Sequence, residues 1–139
     1  MIHAISVVSA DKAIAMAHVP AAVHVAVIGH HTLSFVLALM SCGCLSVRSL
    51  RPDAVAPDCE AADLVWIVDV ANDEELASAL RAARQRAGNR GKVVMEGAIR
   101  RRCRVLLQQA AVAGFDVVSF DHRSHRVMLA AKCRLAVAA

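Results

Sequence analysis

From Ala13 to Val47 the chain contains no Asp, Glu, Lys or Arg. An uncharged run of that length is either a membrane span or a set of buried elements, so it poses the first choice about the fold. Pro20 and the polar turn Gly29-His30-His31-Thr32 interrupt it, and four histidines lie inside it. A spanning helix would carry those interruptions into hydrocarbon, whereas two short apolar elements around a polar turn accommodate them. No membrane segment is therefore expected. Val23 to Ile28 is β-branched at alternate positions and reads as a buried strand closed by Gly29. Thr32 stands where the N-cap of a helix from Leu33 to Cys42 belongs, with Gly43 at its C′ position. That helix is apolar almost all round, which predicts deep packing on every side.

The same punctuation continues down the chain. Upstream, Ser9 caps a short helix through Asp11 to Ala17, ended by Pro20, so residues 1–22 read as a strand/helix extension. Cys44 to Leu50 reads as a second strand, followed by a two-proline loop from Arg51 to Glu60. Asp63-Leu64-Val65-Trp66-Ile67-Val68-Asp69 is the clearest strand, with branched and aromatic residues between two carboxylates. Asn72 with Glu75 three residues on forms a capping box for a helix whose stripe is Leu76, Ala79, Leu80, Ala83 and Ala87. Lys92 to Glu96 is a further strand, and a helix lined by Ile99, Cys103, Leu106, Leu107, Ala110 and Ala113 stops at Gly114. Phe115–Phe120 and Arg126–Ala131 are strands joined by so short a loop that only an antiparallel hairpin fits.

Alternating strands and helices predict a three-layer α/β domain with a mostly parallel sheet of about six strands. Composition agrees: 58% of the 139 residues are hydrophobic but only 3% are aromatic. Small and β-branched residues suit strands buried on both faces. One domain over residues 1–139 is expected. Five cysteines, an odd number without a C-x-x-C spacing or a signal peptide, predict a reducing, cytoplasmic setting.

A Rossmann-like parallel sheet that ends in an antiparallel hairpin resembles the class I S-adenosylmethionine-dependent methyltransferase fold, over roughly residues 10 to 134. In that family the first strand leads into a G-x-G-x-G turn beneath the cofactor. Here Val25-Ala26-Val27-Ile28-Gly29 matches the approach, but the turn continues His30-His31-Thr32. The resemblance implies an acidic residue at the end of the second strand, to bind ribose; Val47-Arg48-Ser49-Leu50-Arg51 has none. Arg51 to Ala62 is too short for the usual helix and third strand, so one sheet edge is expected to be missing. Asp63–Asp69 and Gly91-Lys92-Val93-Val94-Met95 resemble the family's fourth and fifth strands.

Sheets of this kind bind ligands beyond the carboxyl ends of their strands, at the topological switch point. Gly29, His30, His31, Asp69 and Asn72 are expected to converge there as a cofactor or ligand site. Imidazoles at 30 and 31 take space that glycines would leave open, so S-adenosylmethionine is a doubtful cofactor and no catalytic residue is assigned. Adjacent histidines diverge, so no metal site is expected, and His122 and His125 read as hairpin-loop residues.

Charge is segregated: residues 47–75 hold eight acidic and two basic side chains, residues 76–115 nine basic and one acidic. Arg81, Arg84, Arg86 and Arg90 with Arg100, Arg101, Arg102 and Arg104 could merge into a patch for nucleic acid or phosphate. Aromatics for base stacking are nearly absent, which leaves a solvated face as the simpler reading. An uncovered sheet edge and the apolar surplus predict a homodimer, with residues 2–9 as an added strand. Three readings stay open: a methyltransferase-like binding or scaffold protein without catalysis, a divergent methyltransferase acting on a small molecule, and an arginine-patch binder.

Overall fold

The computed structural model describes residues 24–52, 62–68, 70, 72–87, 91–96, 103–121 and 126–132. The elements run β1 (His24–Ile28), α1 (Leu33–Ser41), β2 (Ser46–Leu50), β3 (Leu64–Ile67), α2 (Asp73–Ala87), β4 (Lys92–Glu96), α3 (Cys103–Ala113), β5 (Phe115–Asp121) and β6 (Arg126–Ala131). They build one six-stranded sheet in the order β2-β1-β3-β4-β6-β5. The first four strands are mutually parallel, and β6 runs antiparallel to both β4 and β5. This is the α/β sheet with a C-terminal hairpin that the sequence predicts, and among the described residues β2 is its edge. The extension over residues 1–22 and the loop residues 53–61 lie outside the described residues.

Strand alternation divides the core into two layers. Val25, Val27, Leu64, Trp66 and Val94 face α1, where Phe35 and Leu39 pack on them. Ala26, Ile28, Val65, Ile67 and Met95 face α2 and α3, against Leu76, Leu80 and Leu106. β3 is buried at all four positions because it is central and covered on both sides. Every residue of the predicted α2 stripe is buried.

A polar cluster ties the parallel part of the sheet to the hairpin. Trp66 Nε1 donates to Glu96 Oε1 at 3.1 Å, and Arg126 Nε donates to the same oxygen. The Arg126 guanidinium lies 5.5 Å from the Trp66 ring centroid, close enough for cation–π attraction. Arg126 is only 8% exposed, so Glu96 compensates a buried charge.

One expectation is overturned. α1 is not packed all round: Phe35, Ala38 and Leu39 are buried, but Leu33, Leu37 and Met40 are 71%, 56% and 58% exposed. The helix lies over β1 and β2 at the edge of the sheet, so only its inner side has a layer to pack on. Its end matches the sequence reading. Gly43 takes a φ of +90°, a left-handed conformation that side chains other than glycine's disfavour. No helix among the described residues is long and apolar enough to cross a membrane.

Candidate functional site at the carboxyl ends of the parallel strands

β1 and β3 are neighbours, and the chain leaves them toward opposite faces, to α1 and to α2. That divergence makes the crevice at their carboxyl ends the switch point. Gly29 enters it first. A Cβ on Gly29 would sit 2.1 Å from the Val68 carbonyl oxygen, so glycine here permits β1 and β3 to stay close where their pairing ends. The Gly29 N–H donates to the Leu50 carbonyl at 2.9 Å, and the Val68 N–H donates to the Ile28 carbonyl at 2.8 Å. Gly29 thus has a packing reason to be glycine that involves no ligand.

His30 crosses the crevice. Its Nε2 lies 2.9 Å and 2.5 Å from the two carboxylate oxygens of Glu75, in the first turn of α2. The pair is part-exposed, with the His30 side chain 44% and Glu75 23% accessible. Asn72 is committed to the same helix start. Its Oδ1 accepts the Glu75 N–H at 2.9 Å, the N-cap bond the sequence predicts. In a full capping box the Glu75 carboxylate would turn back to the Asn72 N–H; here that carboxylate meets His30 instead.

Thr32 occupies the N-cap position of α1 without capping it through its side chain. Its hydroxyl shares a 2.5 Å hydrogen bond with Ser49 on β2. That bond ties the turn to the edge strand. Arg51, just past the end of β2 where the family resemblance implies an acid, is exposed, as is Arg48 in the middle of that strand. His31 is also exposed.

Of the site residues read from the sequence, the structure brings Gly29, His30 and Asn72 to this crevice; Asp69 lies outside the described residues. Glu75 is the partner that sequence reasoning missed as a site residue. It was assigned only to capping, although its place in the first turn after β3 put it at the switch point. Among the described residues no group of three or more His, Cys, Asp or Glu side chains comes together. Below the crevice, neither Cys42 nor Cys44 is in a disulfide. Burial, with a smaller contribution from Cys42, pushes the Cys44 thiol above its ordinary value, which lowers its reactivity. Chemically, an imidazole bonded to a carboxylate can hold a proton or relay one.

The sequence matches no protein-family model, and no curated protein matches it. Solved structures do match its fold. A ribosomal protein L11 methylase from Lactobacillus delbrueckii subsp. bulgaricus superposes with a TM-score of 0.70 at 16% identity, over 91% of this chain and 78% of that one. The glycopeptide N-methyltransferase MtfA complexed with sinefungin gives 0.68 at 11% identity, over 94% of each chain. The CcbJ methyltransferase from Streptomyces caelestis gives 0.66 at 13% identity, over 88% of this chain and 89% of that one. At these identities the likeness establishes the architecture: the fold is the Rossmann-like fold of S-adenosylmethionine-dependent methyltransferases, in a divergent form.

Proposed function

We propose that this chain is a methyltransferase-fold domain whose cofactor crevice is closed by its own side chains, and that it acts as a non-catalytic binding or scaffold protein. The observation that carries the reading is the His30–Glu75 pair, which joins the β1 turn to the start of α2 across the switch point. A cofactor seated in that crevice would have to break the pair and recover its hydrogen bonds. Gly29, the one glycine kept from the expected turn, is accounted for by its contact with Val68. The exposed Leu33, Leu37 and Met40 on α1 support the binding role, since contiguous apolar surface commonly marks an interface. A second copy of the chain is the expected partner. Isothermal titration with S-adenosylmethionine and with S-adenosylhomocysteine tests the reading. No heat of binding at micromolar ligand is expected, and micromolar affinity for either would overturn it.

One observation favours a second reading. Once released from Glu75 by a bound cofactor, the His30 imidazole could accept a proton from a nucleophile awaiting methylation. Structures of a glycopeptide N-methyltransferase with S-adenosylmethionine and S-adenosylhomocysteine are among the fold's neighbours. The chain would then be a divergent methyltransferase acting on a small molecule, with His30 as base. It requires cofactor binding, so the titration decides between the two.

A further inference from the structure

At the opposite ends of the same strands lies a feature that the methyltransferase reading does not use. Arg86, in the last turn of α2, is only 5% exposed, and its Nη2 is buried without a hydrogen-bond partner. Guanidinium does not lose its proton at any ordinary pH, so this is a buried positive charge with a donor left unmade. Among the described residues, the neighbouring carboxylate of Asp63 accepts the His24 backbone N–H through Oδ2 at 3.0 Å.

Arg86 lines a small pocket together with His24, Ala26, Ser46, Arg48 and Ala62. The strand register explains the grouping. His24 pairs with Ser46 and Ala26 with Arg48, so all four side chains stand on the face of the sheet that carries α2. Among the described residues β2 is the outermost strand of the sheet. The polar groups that remain are two guanidiniums, an imidazole and a hydroxyl, with no carboxylate among the lining residues.

We propose that this pocket binds a phosphate group, carried by free phosphate or by a small phosphomonoester. Several donors approach from separate elements, which suits a tetrahedral oxyanion better than the two oxygens of a carboxylate. One effect opposes the site: the carboxyl end of α2 presents the negative end of its dipole to an anion. The full charge of a buried guanidinium outweighs the partial charge at a helix end. A trapped water could fill the missing hydrogen bond but would leave the charge unanswered.

The test is thermal unfolding in a zwitterionic buffer at fixed ionic strength, with inorganic phosphate as the titrant. The wild type is expected to show a saturable rise in melting temperature. Arg48→Ala, at an exposed position, should keep the fold and weaken the apparent affinity tenfold or more. Arg86→Met should abolish the rise and, without phosphate, melt no lower than the wild type. A glycerol phosphate titration then separates the sources: tighter binding than inorganic phosphate marks a monoester site, equal binding a free-phosphate site. No saturable rise, an equal rise in all three proteins, or an equal response to acetate would overturn the proposal.

Discussion

At the carboxyl end of β1 the polar side chains have found partners within the chain. His30 meets Glu75, Thr32 meets Ser49, and Asn72 caps α2. At the amino end of the same strand Arg86 is buried with a donor unpaired, beside Arg48 and His24. On the proposed reading, these hydrogen bonds close the end where this fold ordinarily takes its ligand. The end where it ordinarily takes none keeps a buried guanidinium nitrogen without a hydrogen-bond partner.

Arg126 calibrates that contrast, because it is a second buried arginine, and it has a partner. Replacing Glu96 by Ala would strand the Arg126 charge, and about 3–5 kcal/mol of stability should be lost. Arg86→Met, measured by the same denaturant titration, should cost nothing or stabilise. Equal losses in the two variants would mean that Arg86 is satisfied inside the fold, and the contrast between the ends would collapse. Next in size is Gly29→Ala, whose new methyl would press on the Val68 carbonyl. A loss of about 1–3 kcal/mol is expected, as for overpacking elsewhere, whether or not S-adenosylhomocysteine is present. A variant that instead kept its stability would remove the packing reason for this glycine.

Asn72→Ala should cost about 1 kcal/mol through the lost N-cap bond. The smallest effect belongs to His30→Ala. The pair is part-exposed, so its removal is worth about 0.2–1 kcal/mol. A loss of several kcal/mol would show that the pair holds the fold together and does not merely occupy the crevice. Both losses are read from urea midpoints at constant m-value.

The elements themselves were legible because their signals are local. Asn72 and Glu75 announce α2, Gly43 ends α1, and the branched run through Trp66 marks the central strand. The site was legible by half. His30 stood where glycine was expected, but Glu75 lies 45 residues away, and only the sheet brings the two together. The exposure of α1 was not legible, since apolarity says what can be buried and not which side will be covered. Arg86 was obscured by its company, a run of arginines that reads as a solvated face. Its spacing was the available clue: three residues beyond Ala83 and seven beyond Ala79, it falls on the buried stripe of α2.

The claim on which the rest depends is that the His30–Glu75 pair occupies the crevice in place of a cofactor. The most direct measurement is an NMR titration of the wild-type protein with S-adenosylhomocysteine, following the amides of Gly29, His30, Val68 and Glu75. Those four resonances are expected to stay in place up to millimolar ligand. Saturable shifts at them in the micromolar range would show an open, cofactor-binding crevice and contradict the account.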